Sequence, residues 1–241
     1  MSAIATYPSL AGKTVIVSGG GSGIGESITS HFARQGARVG FLDIADDASQ
    51  GLEAHLNAEG HQTCYVRCNV TDTDALRAAI DTVRETFGPI GVLINNAAHD
   101  ERHRLEDVTP DYWEDRIAIN LKHQFFAAQA VVADMKQLGG GSIINMGSIS
   151  WMIGNGGMAC YTASKSAVLG LTSSLARDLG EFNIRVNSIA PGWIMTERQK
   201  NLWLTPEGEV EIFKNQCLKR FLQPEDIARP VLFFASDESA A

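Results

Sequence analysis

The stretch KTVIVSGGGSGIGESITSHFARQG, residues 13–36, joins a short apolar run to a helical pattern through five closely spaced glycines. The pattern predicts a buried strand at 13–18 and a helix that ends at Gly36. A glycine turn lets the backbone approach a bound group closely. The helix that follows presents free N–H groups and a partial positive charge at its first turn. The stretch therefore predicts a strand–turn–helix unit that cradles the pyrophosphate of a dinucleotide.

The alternation of short apolar strands and longer helical patterns continues along the chain. The predicted strands are 13–18, 38–43, 62–68, 91–96, 141–148 and 183–191, and the predicted helices are 23–36, 45–60, 72–88, 111–138, 160–180 and 224–236. Repeated βαβ units build a parallel sheet that is covered on both faces. We therefore predict an α/β protein, a Rossmann-like doubly wound parallel sheet in three layers, with one domain over 1–241. Residues 197–217 interrupt this alternation of strands and helices, and they are predicted to form a lid over the substrate.

Composition excludes several classes of function. The net charge of -8 argues against an electrostatic hold on nucleic acid or on an anionic membrane. The longest apolar runs are too short to span a bilayer, and the N-terminal residues have no secretory-signal pattern. The four cysteines form no CxxC pair and are expected to be reduced, so we expect a cytoplasmic protein. We predict no metal site.

Asp43 ends the second predicted strand, 18 positions after Gly25. A carboxylate at this place accepts hydrogen bonds from both ribose hydroxyls of an adenosine and repels a 2′-phosphate. The glycine turn contains neither Lys nor Arg, and Ser22 occupies the position that best suits a phosphate-binding cation. These residues favour NAD over NADP. An alternative interpretation of Asp43, as the N-cap of the next helix, does not exclude this function.

The segment GSISWMIGNGGMACYTASK, residues 147–165, places Tyr161 and Lys165 four residues apart, on one face of a predicted helix. Such a pair is either an ordinary surface pair or a phenol tuned for proton transfer. Oxidation of an alcohol needs a base, and a phenol with a reference pKa of about 10 is a poor one. We expect Lys165, together with a positive nicotinamide ring, to lower the pKa of Tyr161 by about three units.

In order along the chain, the motifs SGGGSGIG, CNVTD, NNAA, YTASK and PGWIMT resemble those of the short-chain dehydrogenase/reductase family. The resemblance implies four catalytic residues, which are Asn120, Ser148, Tyr161 and Lys165. It implies that the cofactor is held by Gly19, Gly21, Ser22, Gly23, Ile24, Gly25, Asp43, Ile44, Asn69, Val70, Asn96, Ala97, Tyr161, Lys165, Pro191, Gly192, Ile194 and Thr196. Asn120 is expected to hold a water that relays the proton from Lys165, and Ser148 to bind the reacting oxygen. The resemblance also implies a homotetramer or homodimer.

Two departures from the family pattern affect these expectations. Ala98 stands where the family has glycine, which adds a methyl group beside the nicotinamide face. The chain stops at FFASDESAA, where the family usually continues into a seventh strand. We therefore expect six strands in the sheet.

The variable segments, among them YPSLAGK, RHRLEDVTPDYWEDRIAINL and NQCLKR, more closely resemble bacterial NAD-dependent D-xylose 1-dehydrogenases. This resemblance implies oxidation of an aldose at C1 to the lactone. The predicted substrate contacts are Ser148, Trp151, Asn155, Tyr161, Trp193 and Asp100, with Met152, Met158, Met195, Arg102 and His99 at the rim. Two alternatives are a reductase of ketones or oxoacyl thioesters that uses NAD(P)H, and a noncatalytic NAD-binding regulator. A regulator should lack a catalytic residue, yet all four positions are filled.

Overall fold

The computed structural model describes residues 5–240, in which six parallel strands form one sheet. The strands are β1 (Thr14–Ser18), β2 (Arg38–Asp43), β3 (Gln62–Arg67), β4 (Val92–Asn95), β5 (Gly141–Met146) and β6 (Ile184–Ile189). Their order across the sheet is β3-β2-β1-β4-β5-β6. The predicted fold class, a doubly wound α/β sheet of the Rossmann type, is confirmed.

The strand order reverses between β1 and β4, which pair in parallel with Val15 opposite Val92 and Val17 opposite Ile94. From β1 the chain winds outward to β3 and then crosses back to β4. Ligands of such sheets bind beyond the carboxyl ends of the strands at this reversal. The fold therefore brings the segments after β1 and β4 together, although 77 residues separate Ser18 from Asn95.

Nine α-helices occur among residues 5–240. They are α1 (Gly23–Arg34), α2 (Asp46–Ala58), α3 (Thr73–Phe87), α4 (Pro110–Ile117), α5 (His123–Gln137), α6 (Ala159–Leu179), α7 (Glu197–Leu202), α8 (Pro206–Asn215) and α9 (Pro224–Ala235). One apolar cluster includes Phe32 of α1 and Val231 of α9, and another includes Ile80 of α3 and Val131 of α5. All five residues of β1 are buried, which is why its sequence is a continuous apolar run. In the described part of the chain no helix is long and apolar enough to cross a membrane.

The single helix predicted over 111–138 is wrong in one respect, because a π-helical turn over Ala118–Lys122 separates α4 from α5. The side chain of Asn120 supplies a physical reason. Its Nδ2 donates to the Arg116 carbonyl at 3.0 Å, and that carbonyl is the one that the Asn120 N–H would take in an α-helix. A single π-turn inside a helix is often found at a functional site.

Residues 197–217 contain α7 and α8, and neither helix has a buried residue. The two ends of this segment are held together at its base. Ile194 and Leu222 form an isolated parallel bridge, and the Met195 N–H donates to the Leu222 carbonyl at 2.9 Å. The segment is thus a loop of two short helices closed at its neck. Its function as a lid stays a prediction at this point.

Candidate active site

A cleft of about 1730 Å³ runs along the carboxyl edge of the sheet, from the glycine turn to α7 and α8. Most of the predicted site residues line it. Those that line it are Gly19, Ser22, Gly23, Ile24, Gly25, Asp43, Ile44, Asn69, Val70, Asn96, Ala97, Asp100, Ser148, Asn155, Tyr161, Lys165, Pro191, Gly192, Trp193, Ile194 and Thr196. Four predicted residues, Gly21, Asn120, Trp151 and Met152, are not among the lining residues. Each of them has another place in the structure.

The turn after β1 is packed too tightly to admit side chains. A Cβ at Gly25 would overlap the Gly19 carbonyl oxygen and lie 2.8 Å from its carbonyl carbon. Gly19 itself has φ +64°, and a Cβ there would lie 2.9 Å from Ala97 Cα. Helix α1 begins at Gly23, and Gly23 and Gly25 line the cleft, so the first turn of the helix borders it. This cradle fits a pyrophosphate.

Two polar side chains brace the turn against the end of β4. Asn96 Nδ2 donates to the carbonyls of Ser18 at 3.0 Å and Gly19 at 2.9 Å. In return, Ser18 Oγ accepts from the backbone N–H groups of Asn96 at 3.0 Å and Ala97 at 3.1 Å. The amide of Asn96 therefore fixes the shape of the cradle, a function that the motif alone did not reveal.

Asp43 is oriented by three backbone N–H groups. Its Oδ1 accepts from Ile44 at 2.7 Å and Ala45 at 3.0 Å, and its Oδ2 accepts from Gly21 at 2.9 Å. Gly21 thus acts behind the cleft, because its N–H holds the carboxylate and a Cβ there would overlap Ser49. A carboxylate held in one orientation at the end of β2 is suited to a ribose diol.

Ser148, Tyr161 and Lys165 meet at the centre of the cleft. Tyr161 and Lys165 lie on α6, with Lys165 Nζ 5.7 Å from the centre of the phenol ring. Ser148 lies close enough to Tyr161 for its side chain to lower the pKa of the Tyr161 hydroxyl. Ser148 Oγ also accepts from the Ser150 N–H at 3.1 Å, and Lys165 Nζ donates to the Met146 carbonyl at 2.8 Å. The last residue of β5 therefore holds Lys165, and Ser148 in the segment after β5 lies beside Tyr161.

Burial moves the pKa values of the two α6 groups in opposite directions. Lys165 is only 2% exposed, and desolvation lowers its pKa to about 7. Desolvation raises the pKa of Tyr161 to about 12. The side chain of Ser148 and the charge of Arg102 oppose this rise, and the charge of Asp100 adds to it. The protein groups alone therefore do not lower the pKa of Tyr161 as expected. Desolvation raises this pKa by more than Ser148 and Arg102 lower it.

Asn120 is fully buried, and its side chain is committed to the backbone. Oδ1 accepts from the His99 N–H at 2.9 Å, while Nδ2 donates to the carbonyls of His99 at 3.1 Å and Arg116 at 3.0 Å. The amide thus ties the loop after β4 to the π-turn. The relay expected at Asn120 stays a prediction.

Next to this turn lies His123, a residue that sequence reasoning did not identify. It is 1% exposed, and both its ring nitrogens lack a hydrogen-bond partner. Burial, then the charge of Lys165, lower its pKa to about 3, so the imidazole is neutral behind the catalytic pair.

The segment after β5 forms one helical turn at residues 149–153. Some side chains of this turn line the cleft, and the others do not. The N–H groups of Met152 and Ile153 both donate to the Ile149 carbonyl, at 2.9 and 3.1 Å. Helical spacing then directs Ile149, Ser150 and Ile153 into the cleft, whereas Trp151 and Met152 lie outside it. The prediction that Trp151 contacts the substrate is therefore not supported by the cleft. No alternation in the sequence indicates this turn in advance.

The loop after β4 and the segment after β6 complete the substrate end of the cleft. Its lining there includes His99, Arg102, Met158, Met195, Arg198 and Gln199. Arg198 and Gln199 had not been predicted as site residues individually, because exposed polar residues of a short helix carry no distinctive pattern. Over residues 5–240 no group of three or more His, Cys, Asp or Glu side chains could hold a metal ion.

Comparison with known proteins agrees with this geometry. Residues 19–241 match the family model described as enoyl-(acyl carrier protein) reductase. D-xylose 1-dehydrogenase of Caulobacter vibrioides is 48% identical over 98% of this chain and 93% of its own length. A probable galactose dehydrogenase of Rhizobium meliloti is 45% identical over 98% of this chain and 92% of its own. A solved structure of 7α-hydroxysteroid dehydrogenase, complexed with NADH and 7-oxo glycochenodeoxycholic acid, is 35% identical. Its TM-score is 0.92, and the match covers 96% of this chain and 90% of that one.

Members of this family are oxidoreductases that use NAD(H) or NADP(H). The glycine cradle, the carboxylate of Asp43 and the Ser148–Tyr161–Lys165 group all border one cleft. The match extends over nearly the whole chain, and the motifs stand at the carboxyl ends of the strands. The protein belongs to the short-chain dehydrogenase/reductase family and acts on CH–OH groups.

Proposed function

We propose that this protein oxidises the C1 hydroxyl of an aldose, D-xylose or a similar sugar, to the lactone with NAD. The observation that carries the proposal is that Ser148, Tyr161 and the buried Lys165 line one cleft together with the glycine cradle. The similarity of 45–48% to a D-xylose 1-dehydrogenase and a probable galactose dehydrogenase supports the choice of sugar.

The preference for NAD is supported by the surroundings of Asp43. Three backbone N–H groups direct the carboxylate at the end of β2, where it would repel a 2′-phosphate. Arg38 donates to the Gly12 carbonyl at the opposite end of β2. Arg67 lies opposite Asp43 on β3, but it is paired with Asp46 and does not line the cleft. A cation to receive a 2′-phosphate is therefore not provided by either of them.

The protein groups divide the work of proton transfer. When bound, the oxidised nicotinamide supplies the hydride acceptor. Tyr161 accepts the hydroxyl proton, and Ser148 hydrogen-bonds the reacting oxygen as negative charge develops on it. Because burial raises the pKa of the phenol to about 12, Tyr161 needs a nearby positive charge to act as a base. Lys165 provides this charge when it is protonated, and the Met146 carbonyl holds its ammonium group in place.

The substrate end of the cleft suits a polyhydroxylated molecule. Asn155, Trp193 and Gln199 all line it, and they offer an amide, an indole and a second amide. The indole Nε1 of Trp193 is buried without a hydrogen-bond partner. Aromatic faces pack on the C–H surface of a sugar, while amide and indole groups hydrogen-bond its hydroxyls.

The test is a panel of aldoses and polyols assayed with NAD and, in parallel, with NADP. We expect growth of NADH absorbance with D-xylose or a closely related aldose, and a lower kcat/KM with NADP. If no aldose or polyol reduces either cofactor, the assignment to sugars is wrong.

A second candidate is a reductase of ketones or oxoacyl thioesters, which the description of the matching family model favours. The same three residues would serve it, with Tyr161 as the acid. Burial keeps the phenol protonated at neutral pH, as that direction requires. Oxidation of NADPH by acetoacetyl thioesters, without any activity on aldoses, would select this alternative.

A further inference from the structure

Helix α7 is held over the cleft by side chains of the loop after β4. Gln199 Nε2 donates to Asp100 Oδ2 at 2.6 Å, and Arg198 Nε lies 3.4 Å from Asp100 Oδ1. Arg198 also lies 3.1 Å from Nε2 of His99. One carboxylate thus engages two consecutive residues of α7 through its two oxygens.

A second contact lies next to the first. The guanidinium carbon of Arg102 stands 5.2 Å from the ring centre of Trp203, directly after α7. Asp100 and Arg102 belong to the loop after β4, whereas Arg198, Gln199 and Trp203 belong to the segment between β6 and α9. The contacts therefore join two parts of the chain that are about a hundred residues apart in sequence.

Few other contacts fix α7 in place. Neither α7 nor α8 has a buried residue, so the hydrophobic effect contributes little to holding this segment on the domain. Its neck is closed by the bridge between Ile194 and Leu222, which leaves the part between them free to move as a unit. Segments with few buried apolar contacts open at low free energy, and a few polar contacts then determine their position.

We propose that Asp100 is the anchor that latches α7 over the cleft, so that it positions the lid and does not serve as a ligand of the substrate. Its side chain is 17% exposed, against 44% for Arg198, and a carboxylate in this setting strengthens hydrogen bonds from Gln199. The loop that holds the anchor also borders Tyr161, whose pKa senses the charges of Asp100 and Arg102.

The latch explains how the substrate end of the cleft is enclosed. Asp100, Arg198 and Gln199 all line the cleft, so the contact stands at its mouth and must open for a sugar to pass. The kinetic consequence rests on the proposed function, since it needs a substrate. The structural consequence does not, because the stability of the lid can be measured on the protein alone.

The first test uses limited proteolysis of the full-length protein. Chymotrypsin cleaves after Trp203, Leu204 and Phe213, none of which is altered in the variants. Asp100→Ala should accelerate cleavage in 197–217 by roughly tenfold or more, because it removes one hydrogen bond to a charged group and one partly exposed ion pair. Gln199→Ala tests the same contact from the exposed side of the lid and should accelerate cleavage several-fold. The double variant should cleave no faster than Asp100→Ala.

The matched control is Glu106→Gln. Glu106 follows in the same connection between β4 and α4 and pairs with Arg104, away from α7. In Glu106→Gln, the rate of cleavage within 197–217 should equal that of the unmodified protein.

A ligand role for Asp100 predicts different results. In that case Asp100→Ala would raise the KM for the aldose but leave the cleavage rate unchanged, and the effects of Asp100→Ala and Gln199→Ala on KM would simply multiply. Either result would overturn the latch. Loss of the sugar activity itself, with faster cleavage retained, would refute only the proposed substrate and would leave the latch standing.

Discussion

The glycine turn and the lid segment border the same cleft but are built from different interactions. The turn is held by backbone atoms and by buried side chains such as Asn96, which bonds the carbonyls of Ser18 and Gly19. The lid is held by side chains that are partly exposed, with Asp100 and Arg198 as the main pair. A turn built from backbone atoms tolerates almost no substitution. Where side chains make the contact, single residues can be substituted without changing the backbone.

This difference assigns separate tasks to the two regions. A rigid cradle suits a cofactor whose pyrophosphate and ribose do not vary among reactions. A lid held by polar contacts suits substrates that vary and that must enter and leave. We therefore expect changes in the turn to affect cofactor binding and folding, and changes in the lid to affect substrate binding. The predictions below would break or sharpen that division.

The largest effect is expected for Gly25→Ala. The new methyl group would overlap the Gly19 carbonyl oxygen, and backbone cannot move aside as a flexible side chain can. We expect no measurable NAD binding by calorimetry and a free energy of unfolding lower by about 1–3 kcal/mol. Gly51→Ala is the control, because a Cβ at Gly51 meets nothing within 4 Å in exposed α2. It should leave NAD binding intact and stabilise the protein by about 0.5–1 kcal/mol. An unchanged affinity in Gly25→Ala would show that the cradle is not rigid.

Tyr161→Phe should reduce turnover by about 10²–10⁴, the usual contribution of a general acid or base. NAD affinity should stay nearly unchanged, because the glycine cradle and Asp43 are untouched. In the unmodified protein, burial raises the pKa of the phenol, so the basic form becomes scarcer at a given pH. The rate of oxidation should therefore rise with pH as the phenolate forms, and this rise should be limited above about pH 7, where Lys165 loses the positive charge that supports the phenolate. Retained turnover in the variant would remove Tyr161 as the base.

Much of the cofactor region was predictable from sequence because its determinants are local. The spacing from Gly19 to Gly25 and the acid at Asp43 are set by the geometry of one βαβ unit. The π-turn at Ala118–Lys122 was not predictable, since it depends on a side-chain bond from Asn120 to the Arg116 carbonyl that a helical pattern does not reveal.

The substrate end of the cleft was also hard to predict from sequence, because its determinants are not local. Trp151 follows Ser150 directly, yet a single helical turn directs it away from the cleft. Arg198 and Gln199 both contact Asp100, about a hundred residues earlier in the chain. A contact between distant exposed residues leaves no periodic signal in the sequence.

Asp43→Asn should have a moderate effect confined to the choice of cofactor. The substitution removes the negative charge and keeps an oxygen for the N–H groups of Ile44 and Ala45, whereas the bond from the Gly21 N–H is lost because an amide NH2 group cannot accept it. We expect the ratio of kcat/KM for NAD to that for NADP to fall by roughly 10- to 100-fold, the range of a hydrogen bond to a charged group. Asp47→Asn removes a neighbouring charge in α2 and should leave the ratio unchanged. An equal loss with both cofactors would mean that Asp43 only shapes the turn.

The smallest effect concerns His99, which lies between the two regions. Desolvation, then the charges of Arg198 and Arg116, lower the pKa of this imidazole below its usual value of 6.5. The neutral form is therefore favoured in the folded protein, and the contact with Arg198 persists above pH 6.5. As pH falls through the lowered pKa, protonation places a third positive charge beside two guanidinium groups and weakens the hold on α7.

Hydrogen exchange measures this effect directly. Corrected for the intrinsic rate, amides of 197–215 should exchange a few-fold faster at about pH 5 than at about pH 7.5, since one partly exposed contact contributes about 0.2–1 kcal/mol. Amides of α1, beside the glycine turn, should show no such change. In His99→Asn, which does not titrate, the pH dependence of the lid should vanish. If α1 and the lid respond alike, the two regions open as one unit and the division between them does not hold.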